Sequence, residues 1–182
     1  MGSGQMMMTI LGMVLLSMVI LTMNRGFYNT NTTMASSRYN ILGISVANSI
    51  MEDATSMRFD EATTGGTITS PSQATAPANL GVETGESSTN PKTFDDFDDY
   101  NAFKTNPKLD TILVTGTTKK IIFNSICKVD YVTASNPSLT SGSQTYHKRL
   151  RIWVYCPEIR DPKTLVTDTI KLSTVFSYWY FR

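Results

Sequence analysis

The chain has 182 residues, in which 16 Lys and Arg face 15 Asp and Glu, for a formal net charge of +1. That length holds one ordinary domain plus an accessory segment, and so even a balance excludes a general nucleic-acid or membrane-surface binder, which carries a strong basic excess. With two cysteines, no CxxC and one histidine, the chain also lacks the Cys/His sets of most zinc sites.

Residues 1–25 are dominated by Met6 to Met23, MMMTILGMVLLSMVILTM, an apolar run without a charge. At about 1.5 Å per residue, a helix of this run crosses most of a hydrocarbon core about 30 Å thick. It suits a bilayer or an all-apolar protein core equally. A secretory signal needs a basic start and a small-residue cleavage site, and neither Met1-Gly2-Ser3-Gly4-Gln5 nor Met23-Asn24-Arg25-Gly26-Phe27 supplies them. Arg25 alone sets no orientation. Met6, Met7, Met8, Met13, Met18 and Met23 read as adaptable packing groups, not as metal ligands.

Residues 26–60 turn polar but keep a helical pattern. Leu42 or Gly43, Val46 or Ala47, Ile50, Ala54 and Met57 recur at spacings that form one helical face. No proline lies between Met1 and Ser70, so the apolar and amphipathic runs are expected to form one long helix, loosened at Gly12, at Gly26 and across Asn29 to Thr33.

Residues 61–108 are expected to form a variable loop region. From Glu61 to Pro91 the chain is rich in Thr, Ser, Gly, Ala and Pro, which predicts a solvated loop or linker. Asp95, Asp96, Asp98 and Asp99 then put four carboxylates within five residues. Hard cations such as Ca²⁺ want such oxygens, but the D-x-D-x-D-G spacing is missing. The expectation is a loop pinned by Phe94, Phe97 and Tyr100 with its aspartates in water, and no metal or cofactor.

Residues 109–182 contain strand-like runs at Leu109 to Thr115, Lys119 to Thr133, Tyr146 to Cys156 and Val166 to Phe181, with turns at Gly116-Thr117 and Ser135 to Ser143. The fold class expected is α+β, a long N-terminal helix packed on a C-terminal four-stranded antiparallel sheet. Alternation places Cys127 with Ile121, Phe123 and Val129, and Cys156 with Leu150, Ile152 and Val154. Both thiols therefore face one core, either as a disulfide, which suits an oxidising compartment, or as two separate buried thiols. Alternation also puts Arg149, Arg151, Trp153 and Tyr155 on one strand face, a solvated or subunit-contacting surface. Phe176 to Arg182 reads as a terminal strand packing aromatics. No enzyme signature accompanies the single His147.

An apolar helix, its amphipathic continuation, a variable loop and a terminal antiparallel sheet together resemble the type IV pilins and pseudopilins. The segment Ala47 to Asp60, ANSIMEDATSMRFD, is similar to the helix end of pilin-like proteins grouped with the PilV and MSHA minor pilins. Phe94-Asp95-Asp96-Phe97-Asp98-Asp99-Tyr100 resembles an aromatic-flanked, Asp-rich motif of the same group. The resemblance implies that Met1 is the first residue of a protein already cut by a prepilin peptidase; a cut after Gly4 would instead make Gln5 the first residue. With Met1 first, Gln5 stands where these families carry a glutamate. An amide still hydrogen-bonds to a neighbour's N-terminal amine and costs less than a carboxylate to bury.

The function so implied is a structural subunit of an extracellular type IV pilus-like filament, held in the bacterial inner membrane before assembly. It would form a homopolymer through helix packing, with the pilus assembly machinery as partner and no specific nucleic acid or small-molecule ligand. Met1, Gln5, Gly12 and Ser17 are the expected assembly residues, the small ones permitting close helix approach. The alternatives are a minor pilin or type II secretion pseudopilin that primes assembly, and a membrane-anchored adhesin or ligand-binding domain.

Overall fold

The computed structural model describes residues 2–113, 120–160 and 167–179. Met1, the Gly116-Thr117 turn, Val166 and the end of the aromatic tail from Tyr180 lie outside them.

Helix α1 runs unbroken from Ser3 to Ser56. The expected weak points do not interrupt it. Hydroxyls in the polar stretch fold back onto the helix, Thr30 donating to the Gly26 carbonyl at 2.9 Å and Thr33 to that of Asn29 at 2.9 Å. Such bonds keep these residues compatible with helix despite their preference for turns. The helix ends where Met57 turns extended and its N–H bonds the Ala54 carbonyl.

Antiparallel strands follow: β1 (Lys108–Leu113), β2 (Lys120–Thr133), β3 (Asn136–Thr140), β4 (His147–Arg160) and β5 (Thr167–Ser177). The sheet order is β1-β2-β4-β5, with β3 pairing the far end of β2. The α+β architecture expected from sequence is therefore the one observed. β3 is an addition, falling inside the segment expected to be only a turn, where Thr140 pairs Val132.

The helix docks by the face read from its periodicity. Gly43, Ala47, Ile50 and Ala54 are its buried residues, and they lie over β4 and β5. Three of them are small, which lets the helix backbone approach the sheet. A Cβ on Gly43 would stand 2.5 Å from Ile170 Cδ1 and 3.4 Å from Phe123 Cε1. Beside the helix, the segment around the 3₁₀ helix Asp98–Lys104 covers β2. Its rings interlock, with Phe94 5.3 Å from Tyr100 and Phe97 5.1 Å from Phe176.

The Thr/Ser-rich stretch after α1 is irregular, as expected, but it is more than a solvated linker. Ile68, Ala74 and Leu80 are buried with Phe59 and Tyr131 in a second apolar cluster. The Tyr131 hydroxyl donates to the Thr75 carbonyl at 2.7 Å, and the Ile68 N–H donates to the Tyr178 hydroxyl at 3.2 Å. A few apolar side chains and phenols thus seat a segment whose average composition is that of a loop.

Candidate functional sites

The first site is the free-standing part of α1. From Ser3 to Ala35 every residue is exposed, a length of about 50 Å at helical rise. Within it the apolar run presents Met, Leu, Ile and Val side chains all round, with Met8 78% and Leu11 61% exposed. The segment is long and apolar enough to cross a membrane. Its hydroxyls are satisfied internally: Ser17 donates to the Met13 carbonyl at 2.8 Å and Thr22 to that of Met18 at 2.7 Å. A segment prepared in this way exposes little unmet polarity to an apolar environment. A Cβ at Gly12 would meet nothing within 4 Å, so nothing inside the subunit requires a glycine there. Gln5 lies in the first turn, with its backbone N–H on the Gly2 carbonyl at 3.0 Å.

The second site is a buried charge centre under the sheet's end. Lys148 has the same strand parity as Leu150, Ile152 and Val154, and its side chain is fully buried. Its ammonium donates to the Phe59 carbonyl at 2.8 Å, to Asp60 Oδ2 at 2.6 Å and to Asp98 Oδ1. Its three N–H donors therefore all have acceptors. The Phe59 ring centroid lies 4.7 Å from Nζ and that of Tyr131 5.4 Å away. Burial raises the Asp60 carboxyl, but the Lys148 charge and donors from Thr75 and Ala62 outweigh it and hold the group below its ordinary value. Aspartates from the segment just after α1 and from the acidic motif are thus joined through one lysine on β4.

The acidic motif itself departs from expectation. Asp96, Asp98 and Asp99 are fully buried and not in water. The cause is the aromatic residues among them: seating Phe97 and Tyr100 in the core carries their neighbours inside, where backbone donors meet them. Asp96 Oδ1 accepts from the N–H groups of Asp98 and Asp99 at 2.7 and 3.2 Å, and Asp99 Oδ2 accepts from those of Asp95 and Asp96 at 3.0 and 3.1 Å. Phe97 N–H bonds the Arg58 carbonyl at 2.9 Å, fastening the motif to the chain just after α1.

Glu61, Glu83 and Glu86 from the preceding loop face these aspartates. Glu61, Glu83 and Asp96 place carboxylate oxygens within 4.8 Å of one another, as do Glu83, Glu86 and Asp99. Gly81 and Gly85, with φ of +139° and +111°, supply left-handed bends on either side of Glu83. Burial, with the charges of Asp99, Asp98 and Glu86 added, pushes the Glu83 carboxyl up to about 8. Burial and the Asp98 charge push Asp96 up to about 9. Burial lifts Asp99 to about 7. Sequence reading named the aspartates but missed their glutamate neighbours, which only the folded loop brings near.

The expected contact face on β4 is reduced. Arg149 is only 6% exposed and donates to the Pro137 and Ser138 carbonyls at 2.9 and 2.6 Å. Arg151 bonds Asp130, which also lies 3.4 Å from Arg149 and 3.1 Å from Lys128. The Arg151 guanidinium sits 5.5 Å from the Trp153 ring. Trp153 and Tyr155 share this face, half-buried. These cations are largely spent on Asp130 and on the carbonyls of β3.

The structure contains no disulfide between Cys127 and Cys156, although both thiols are buried on the face that parity predicts. Register is the reason. Cys127 stands opposite Ile152, so Cys156 lies four positions further along β4, about 13 Å away at strand rise. A bridge needs Cα atoms within about 7 Å. Burial pushes the Cys127 thiol up to about 12, leaving it protonated and unreactive. His147 has a partner that sequence did not reveal, Ser177 Oγ across the ladder at 2.7 Å from Nδ1. Among the described residues no carboxylate is hydrogen-bonded to that ring, so the pair lacks the orienting acid of a catalytic triad.

No family model, curated protein or solved structure matches the chain.

Proposed function

We infer that the protein is a structural subunit of a type IV pilus-like filament, held in a membrane by α1 before assembly and polymerising through that helix afterwards. The observation that carries this reading is the contrast within α1: an exposed apolar segment from Ser3 to Ala35, continuous with a docked segment that anchors the α+β head. A helix seated in the head from Gly43 onward fixes the direction in which its apolar half projects. That half can pass from lipid to the apolar helices of neighbouring subunits. Such an exchange gains little from hydrophobic burial, so close packing and many repeated contacts must supply the preference. Gly12 offers a site of close approach, and Gln5 offers an uncharged polar group near the helix start. The absence of a Cys127–Cys156 bridge removes the redox argument for an extracellular location, which rests on the filament reading alone.

The test is Gly12→Leu in cells that assemble the filament. Membrane insertion should be retained, because Leu is at least as apolar as Gly, while polymer in the sheared surface fraction should fall severalfold. Unchanged filament yield would reject helix packing at Gly12. A subunit found at low abundance within filaments of another protein would point to the minor-pilin or pseudopilin role, and a protein that inserts but never polymerises would point to an anchored monomeric domain.

A further inference from the structure

We propose that Lys148 and Asp98 join covalently, the lysine amine condensing with the aspartate carboxyl to form an intramolecular amide, and that Asp60 is the catalytic proton carrier. The three residues are distant in sequence, meet through the ends of their side chains and are fully buried. Lys148 Nζ is in hydrogen-bond contact with Asp98 Oδ1 and lies 2.6 Å from Asp60 Oδ2. The Asp98 carboxyl carbon is one bond beyond the contacted oxygen, which brings amine and carbon to about 3–3.5 Å, the separation of a near-attack pair.

The two carboxyls are unlike, and the difference assigns their roles. Asp60 accepts from the N–H groups of Ala62 and Thr75 at 3.1 and 3.0 Å, and from the hydroxyls of Tyr131 and Thr75, each at 3.2 Å. Such a shell holds it as a carboxylate, a poor electrophile and a ready proton acceptor. Asp98 has, besides Lys148, the Gly81 N–H on Oδ2 at 3.4 Å and the Asp96 carboxyl beside it. Burial, with the Asp60 charge added, raises the Asp98 carboxyl against the pull of Lys148, which favours the neutral acid that an amine attacks. The Phe59 and Tyr131 rings, 4.7 and 5.4 Å from Nζ, help to exclude water from the reacting atoms.

The ion-paired trio is the precursor. The ammonium proton facing Asp98 passes to Oδ1, and the lone pair left on Nζ points at the carboxyl carbon. Attack forms the N–C bond and places negative charge on Oδ2, which faces the Gly81 N–H. Asp60 takes a second proton from the nitrogen and delivers it to the Oδ1 hydroxyl, which leaves as water while the carbonyl re-forms. One ammonium and one carboxylate thus become one amide and one water, and no other reactant is needed. The trio carries one net negative charge before and after, but a desolvated ion pair, which is costly to bury, gives way to a neutral amide.

The bond would tie β4 to the acidic motif in a head whose two cysteines are both free. It does not depend on filament formation. The test is mass spectrometry of the full chain, folded in detergent, then denatured and digested with trypsin. The expected product is a branched peptide in which residues 93–104 are linked through Asp98 to Lys148 of residues 129–149, one water lighter than the two peptides together and uncut after Lys148. Undigested, the linked chain should migrate ahead of Lys148→Ala in boiled, reduced gels.

Two variants of Asp98 carry a sharper signature. Asp98→Asn should still couple, releasing ammonia in place of water, and Asp98→Ala should not couple at all. Asp60→Asn, with its head shown to be folded by near-UV circular dichroism, should couple at least about a hundredfold more slowly. The proposal is overturned by a folded wild type that yields the two peptides unlinked at full mass, or by a water loss confined to residues 93–104, which marks a cyclic imide. A link from Lys148 to Asp60, or an Asp60→Asn variant that couples at the wild-type rate, would overturn it equally. The wild-type digest decides the matter even where a variant fails to fold.

Discussion

The two ends of α1 belong to one unbroken helix but answer to different partners. Near its C-terminal end, Gly43, Ala47, Ile50 and Ala54 are buried against the sheet, and the glycine is needed because side chains from β2, β4 and β5 crowd it. Near its N-terminal end, Gly12 faces open space and the flanking Met, Leu and Val side chains touch nothing else in the subunit. The same residue type therefore has an intramolecular explanation at one end and none at the other. Helical continuity comes from local propensity and internal bonding, whereas the value of each face is set by what it meets.

The most severe way to break the docked side is Lys148→Ala. It would leave Asp60 and Asp98 buried without their cation, at a cost of about 3–5 kcal/mol. Denaturant unfolding should register that loss, while membrane insertion of α1 stays intact. A head that melts as the wild type does would remove Lys148 from the centre of the fold.

Matched glycine substitutions sharpen the comparison directly. Gly43→Leu forces a side chain into the space of Ile170, Ile159 and Phe123 and should destabilise the head by about 1–3 kcal/mol. Gly12→Leu should leave head stability within about 0.5 kcal/mol. Urea titrations of the two variants in the same detergent check the pair, and equal losses would erase the distinction between the helix halves.

A smaller effect isolates the outer sheet face. Burial raises the Asp130 carboxyl, but Lys128 and Arg151 outweigh it and hold the group below its ordinary value of 3.8. The unfolded chain therefore takes up this proton first as pH falls. Stabilisation from Asp130 should be complete above the unfolded value and vanish as pH drops through the folded one. The stability difference between wild type and Asp130→Asn should be flat near neutrality and close below about pH 4. A difference constant down to acid pH would exclude the ion pairs as its source.

The smallest expected effect is none at all. Reductant should leave Tm unchanged, and Cys127 should label with a thiol reagent only after unfolding. Faster migration without reductant than with it, or a Tm that drops with reductant, would contradict the separated thiols.

Much of the architecture was legible because it follows from periodicity. The helical face at Gly43, Ala47, Ile50 and Ala54, and the inward parity of both cysteines, need only spacing. Register was not legible, since parity fixes a face and not a position along the ladder; that is why the cysteines share a core without meeting. Lys148 was within reach, for the alternation that turns Arg149 outward must turn Lys148 inward. The burial of Asp96, Asp98 and Asp99 was not, because a 3₁₀ segment has no period that sorts its faces. Nor could spacing bring Glu83 to Asp96 and Asp99, a meeting made by bends at Gly81 and Gly85.

The central claim is that the exposed half of α1 is an interface between copies of this chain. Electron microscopy of the native assembly, sheared from the cell surface and reconstructed at side-chain resolution, tests it most directly. The account predicts a helical polymer with residues 3–35 packed together at the axis and the sheet domains outside. A protein recovered solely as separate subunits, each with α1 in lipid or detergent, would contradict it.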